Sequence, residues 1–136
     1  MKALSLFLTR VSTGWLLVLW GVNKLLDVDH AAGVAKRFYL GIGSQALVLN
    51  LFGVHETLLG VLVIVGLYRR LAYPLTALVL GLTALGVWKS ILDPWGWAMD
   101  GTNVLFYPSL IVFAASLVLW GFVDEDRTTL DARRGG

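Results

Sequence analysis

Cysteine is absent from this 136-residue chain. That removes a disulfide framework, thiol catalysis, and thiolate ligation of zinc or an iron–sulfur cluster by the chain itself. Charge is scarce as well. Only 15% of residues are Asp, Glu, Lys or Arg, against about 25% in an ordinary soluble domain. The net charge of +2 is too small to argue for nucleic acid, so the Lys and Arg residues read as topology signals. There are two histidines. His30 falls in a loop, which leaves His55 alone at membrane depth and argues against a bis-histidine haem held by this chain alone. No metal site is expected.

Apolar residues, by contrast, are plentiful. They make up 57% of the chain, with a mean hydropathy of +0.76. Four stretches, about residues 4–26, 45–68, 71–92 and 104–123, come close to the ~20 residues that cross a ~30 Å hydrocarbon core at 1.5 Å per residue. The fold expected is all-α: an integral membrane antiparallel four-helix bundle over residues 1–123. Residues 124–136 read as a polar cytoplasmic tail that frays. The apolar run after Lys2 continues well past a signal-peptide core and shows no small-residue cleavage pattern before Trp15, so it reads as a retained span.

The links differ in character. In the long first loop, residues 27–44, the segment HAAGVAKRFYLGIG is suited to a short interfacial helix. Phe38 and Tyr39 would lie at headgroup level, with Lys36 and Arg37 in water. The second link is little more than Arg69-Arg70. The third is rich in Pro, Gly and Trp, with Trp95 and Trp97 as interfacial anchors. Lys and Arg outnumber on the side carrying the N-terminus, the second link and the tail, which places both termini in the cytoplasm.

The few charges inside the spans are the candidates for chemistry, because a charge in hydrocarbon costs roughly 2.5–3.5 kcal/mol and so needs a partner or a function. By helical rise, Arg10 lies roughly 9 Å and Glu56 roughly 18 Å from the same face, a gap within reach of an Arg side chain. An Arg10–Glu56 pair is therefore expected, either as a register-fixing ion pair or as a polar pocket for a quinone headgroup or a proton. Nearer the other face lie Asn23, Lys24 and Asp27, then Lys89 and Asp93 at i,i+4, then Asp100 and Asn103. His55 and Glu56 are expected to face that cluster. Lys24 and Lys89 read equally as snorkelling anchors. Arg10, Gly14, Gly21 and Lys24 share one helix face, and Gly53, Glu56 and Gly60 share another. Glycine with charge on one face points that face into the bundle.

Three pieces resemble the DoxX-like family of small four-helix bacterial membrane proteins. They are Arg10 followed by TGWLLVLWGVNKLLD, the stretch HETLLGVLVIVGLYRRLA, and Asn103 before the last span with a polar tail after it. The resemblance implies a location in the bacterial inner (plasma) membrane and an association with membrane redox systems, some relatives being subunits of quinone-reducing enzymes. Members that handle thiols through their own cysteines are no guide here. Arg10 and Glu56 carry over, followed by Lys24 and Asn103.

The reading that follows is a membrane subunit of a redox complex. It anchors a catalytic partner and forms a quinone-proximal polar site from Arg10, His55, Glu56, Lys24, Lys89 and Asn103. Quinone is the expected cofactor, and nothing is bound covalently. Lipid and either partner chains or further copies of the chain are the expected partners. The alternatives are a structural or assembly subunit without chemistry, and a small-solute carrier.

Overall fold

The computed structural model describes residues 1–41 and 45–135, apart from the side chains of Val28 and Phe38. The expected headgroup placement of Phe38 and the end of the first loop at Ser44 lie outside the described residues. Every regular element among the described residues is helical: α1 (Lys2–Leu26), α2 (Val28–Phe38), α3 (Ala46–Val65), α4 (Arg69–Gly86), α5 (Trp88–Leu92), a 3-10 turn Val104–Phe106, α6 (Pro108–Gly121) and α7 (Leu130–Arg133). Three helical segments are long and apolar enough to cross a membrane: Lys2–Leu26, Ala46–Val65 and Val104–Gly121. The segment read from the sequence as a span over 71–92 is instead two helices. α4 carries Pro74 and ends at Gly86, and α5 begins at Trp88, with Val87 between them.

α1 packs on α3 and α4 packs on α6, and the two pairs meet through α1–α6 and α3–α4 contacts. The α1–α3 contact is the most extensive, and glycine is the reason. Gly14 approaches the backbone of Gly60 and Ile64, while Gly21 approaches that of Gly53 and Thr57. Ascending numbers on α1 meet descending numbers on α3, so the two helices run in opposite directions. Without a Cβ at these positions the backbones come close enough for dispersion to hold the helices together, which matters in lipid, where no hydrophobic drive separates helix from solvent.

Between the pairs sits a core of Leu6, Leu17, Leu59, Val63, Leu80 and Leu119, together with Ala72 and Tyr73. The outside is also apolar: Leu58, Leu78, Leu82, Leu85 and Ile111 are all well exposed. An apolar exterior over an apolar core matches a lipid solvent and contradicts a watery one.

Local chemistry sets the ends. α3 stops at Gly66, which takes the left-handed conformation (φ 72°). There the Leu67 N–H bonds back to the Leu62 carbonyl at 2.9 Å and the Gly66 N–H to Val63 at 3.1 Å, the pairing that satisfies orphan carbonyls at a helix C-terminus. α2 begins at Asp27, whose carboxylate accepts the His30 N–H at 3.1 Å. Asp27, read from the sequence as part of a polar cluster, is thus a helix cap. α2 buries Ala31 and Ala35 and exposes Lys36 and Arg37.

The link from α5 to the 3-10 turn is held by Asp93. Its carboxylate accepts the backbone N–H groups of Ala98 (2.7 Å), Met99 (2.9 Å) and Trp97 (3.0 Å). The N–H of Ala98, against an opposing desolvation and with the N–H groups of Met99, Trp97 and Gly96, holds the Asp93 carboxyl below its usual range. The sign follows from that depression. The carboxylate stabilises the loop at all pH values above the ordinary Asp range, and this contribution is lost only as pH falls through the lower folded value. Trp95 and Trp97, stacked with centroids 5.0 Å apart, report on the loop. Their fluorescence in wild type and in Asp93→Asn should differ by a constant amount from neutral pH down to about pH 4, the ordinary Asp value, and converge only below it. Convergence near or above pH 4 would show that the N–H cradle does not hold the carboxylate.

Candidate functional site

Of the charges expected within the membrane, Arg10 and Glu56 are buried, but they do not pair as the sequence suggests. Arg10 and Glu56, each 2% exposed, belong to separate clusters at opposite ends of the α1–α3 contact.

The first cluster closes one end of the molecule. Arg10 Nη1 donates to Asp126 Oδ1 at 2.7 Å and to Thr128 Oγ1 at 3.0 Å. Its Nη2 donates to the Thr128 carbonyl at 3.1 Å, and its Nε to the Ile64 carbonyl at 3.2 Å. Tyr73 donates its hydroxyl to Asp126 Oδ2 at 2.7 Å, and Arg69 donates to the Asp126 carbonyl and to Thr129. Asp126 and Thr129 are buried. The expectation of a frayed tail is therefore corrected: the segment after α6 folds back into the bundle end. It does so because a guanidinium buried in an apolar bundle requires a carboxylate and acceptors for its remaining donors. The Asp131 carboxylate then accepts the N–H groups of Tyr68 (3.1 Å) and Arg69 (2.8 Å), capping α4. Tyr68 has a positive φ of 52°, a strained position for a bulky residue, and this cap holds it there. Lys2–Glu125 and Arg70–Asp124 add exposed ion pairs at the same end, which are worth little.

The second cluster lies where α1, α2 and α3 meet. Lys24 Nζ sits 3.0 Å from Glu56 Oε2, with side-chain exposures of 22% and 1%. The contact is a close ion pair. Glu56 Oε1 has no hydrogen-bond donor among the described residues, and Oε2 has only the Lys24 ammonium beside it. The Lys24 ammonium also stands 5.3 Å from the centroid of the Phe52 ring, a cation–π distance. Tyr39, at the end of α2, reaches this region and fills the space left by Gly86, where an added Cβ would meet its ring and hydroxyl at 2.5–2.6 Å. Burial raises the Tyr39 phenol above its usual value, the Thr83 side chain lowers it, and the Glu56 charge raises it further. The phenol is therefore a neutral donor and acceptor throughout the physiological range.

The remaining expected site residues stand apart from both clusters. His55 is on the outward face of α3 with Nδ1 2.7 Å from the Leu51 carbonyl, because it follows Val54 and precedes Glu56 on a helix whose buried stripe is Leu49, Gly53, Glu56 and Gly60. Lys89 is exposed beside the Trp88 ring. Asn103 caps the 3-10 turn through the Leu105 N–H at 2.9 Å, and its own N–H bonds Ser90 Oγ at 3.0 Å. The sequence reading missed Asp126, Tyr73, Arg69, Tyr39 and Thr83. The first of these lies in a segment that looked like solvent tail, Arg69 and Tyr39 read as topology and interface residues, and Tyr73 and Thr83 sit in an apolar span without a signal of their own.

An all-helical fold with an apolar exterior, three helical segments long enough to span a bilayer, and charges paired inside defines an integral membrane protein. The DoxX family model matches residues 5–91, well over half of the chain, and the chain belongs to the DoxX family. The matched region contains Arg10, Lys24, Glu56, Arg69 and Tyr73, while Asp126 falls outside it. No curated protein and no solved structure matches the chain.

Proposed function

We propose that the chain is the membrane subunit of a redox complex in the plasma membrane, with both termini on the cytoplasmic face, and that Lys24 and Glu56 form its quinone-proximal site. The observation that carries this reading is the buried Glu56 carboxylate, whose Oε1 has no hydrogen-bond donor among the described residues, beside a lysine that remains partly open. A buried acceptor without a donor costs roughly 1–3 kcal/mol or more when charged, so the arrangement favours an occupant that brings one.

A quinone headgroup has matching chemistry. Its reduced form offers hydroxyl donors to the Glu56 oxygens, and its oxidised form offers carbonyl acceptors to the Lys24 ammonium. The Phe52 ring supplies an apolar face. When bound, a quinone supplies two-electron, two-proton redox chemistry. Lys24 would stabilise negative charge on the headgroup oxygen. Glu56 would hold or move a proton there. Electrons come from a partner chain that the subunit anchors.

Arg10 is no longer part of the proposed site, because Asp126 and Thr128 occupy its donors. His55 and Lys89 are left out on geometry as well. The satisfied Arg10–Asp126 network favours a structural role at that end, so the assembly reading keeps one specific support.

Protein isolated from native membranes should carry extractable quinone and co-purifying chains. Glu56→Gln should lower the quinone content about tenfold, the factor one charge-assisted hydrogen bond carries, with helix content unchanged. Quinone retained equally by wild type and Glu56→Gln, or absent from both, would overturn the reading.

A further inference from the structure

Lys89 has lost the neutralising partner that its sequence offers. Asp93 lies one helical turn away, yet its carboxylate is turned into the following loop and taken up by the N–H groups of Trp97, Ala98 and Met99. Lys89 forms no ion pair among the described residues. Its ammonium stands 5.8 Å from the centroid of the Trp88 ring. The position is fixed, because Ser90, next in the chain, is buried and accepts the Asn103 N–H.

Trp88 in turn borders an apolar groove of about 550 Å³ between α4 and α6. Buried Ala77 and Ala84 line it together with Gly81, which packs against the half-buried Phe113, and Leu85 and Trp88 are exposed members of its lining. The groove opens on the exposed, lipid-facing side of the two helices. Its volume falls in the range of small-ligand sites. A cation, beside a tryptophan that lines the groove, therefore stands next to an apolar groove between the helices. Trp and Lys at this level anchor to headgroups, and an uncompensated Lys near the surface attracts anionic lipid.

We infer that the α4–α6 groove with Lys89 is a binding site for one anionic phospholipid, the phosphodiester on the Lys89 ammonium and an acyl chain along Ala77, Gly81 and Ala84. Charge complementarity selects this occupant. A second copy of the chain would bring an apolar helix face to the groove and leave Lys89 unpaired, and a water-soluble phosphate would leave the groove unfilled.

The test uses delipidated protein in detergent, titrated with dioleoyl phosphatidylglycerol or dioleoyl phosphatidylcholine and read by native mass spectrometry. Wild type should retain the anionic lipid about fivefold better, the factor that one interfacial Lys contributes. Lys89→Gln should abolish that preference, whereas Lys36→Gln, an exposed lysine on α2, should keep it. Leu85→Trp, which fills the groove from its exposed rim, should lower retention of both lipids. Glycerol 3-phosphate should not displace the bound lipid. Leu85 and Lys89 are both exposed, so the fold survives these changes, and circular dichroism checks that it has. Four results would each overturn the inference. They are equal retention of the two lipids by wild type, an undiminished preference in Lys89→Gln, displacement by glycerol 3-phosphate, and a lipid-free dimer sealed along α4 and α6.

Discussion

Replacing Asp126 with Leu destabilises the protein by about 3–5 kcal/mol, the cost of removing one partner of a buried ion pair. The change strips Arg10 of its carboxylate and Tyr73 of its acceptor in one step. Arg10 cannot turn to water, because it is 2% exposed and its Nε and Nη2 are still bound to backbone carbonyls. Replacing Arg10 with Met in the same chain removes the orphaned charge, and the double variant should return to within about 1–2 kcal/mol of wild type, since a buried pair exchanged for apolar residues is often neutral. Chemical unfolding in detergent micelles measures both. Lys2→Ala serves as the contrast, because its pair with Glu125 is exposed and should cost about 0–1 kcal/mol. An Asp126→Leu loss no larger than that of Lys2→Ala would mean that the carboxylate does not hold the bundle end together.

Gly60→Leu should be at least as severe. A Cβ at Gly60 would lie 2.6 Å from the Gly14 carbonyl oxygen and 2.8 Å from the Val18 backbone nitrogen. Both obstacles are main chain, so no rotamer change relieves them and α1 must move away from α3. That opens the most extensive interhelical contact in the molecule and pulls Lys24 from Glu56 and Arg10 from Ile64 together. A loss above about 4 kcal/mol is expected, in the exceptional range for a single substitution. Gly33→Ala supplies the opposite sign. Nothing lies within 4 Å of an added Cβ there, and the residue is inside α2, so stability should rise by about 0.4–1 kcal/mol. A Gly60→Leu protein with wild-type unfolding would show that the α1–α3 approach is not needed for the fold.

The two buried clusters differ in how fully their polar groups are satisfied. The Arg10 cluster is satisfied in nearly every donor and acceptor, and polar networks of that kind rigidify a structure. In the Lys24–Glu56 cluster one carboxylate oxygen has no donor among the described residues, and perturbed or unsatisfied ionisable groups concentrate where ligands bind. The same pair of helices thus offers a lock at one end and a receptive carboxylate at the other.

Much of the architecture follows from composition and period. The chain's high apolar content leaves water an unsuitable solvent, and the 3.6-residue repeat places Arg10, Gly14, Leu17 and Gly21 on one buried face of α1, and Gly53, Glu56 and Gly60 on one buried face of α3. Those features are local, set by residues three, four or seven positions apart. The partners of the buried charges are not local. Asp126 is 116 positions from Arg10 in the chain and lies in a segment whose polarity marks it as solvated. Which carboxylate a buried arginine takes depends on helix register and on where the chain returns after α6. Depth alone made Glu56 a candidate for Arg10, whereas the antiparallel register of α1 on α3 carries Glu56 to Lys24. Likewise the i,i+4 spacing of Lys89 and Asp93 allowed a pair, but three backbone donors in the next loop outcompete one exposed ammonium for the carboxylate. The sequence by itself determined the solvent, the helical class and the inward faces, because hydrophobic burial is summed over many residues. Only the tertiary structure decided who pairs with whom, because an ion pair depends on ångström-scale placement of two atoms that chain order does not encode.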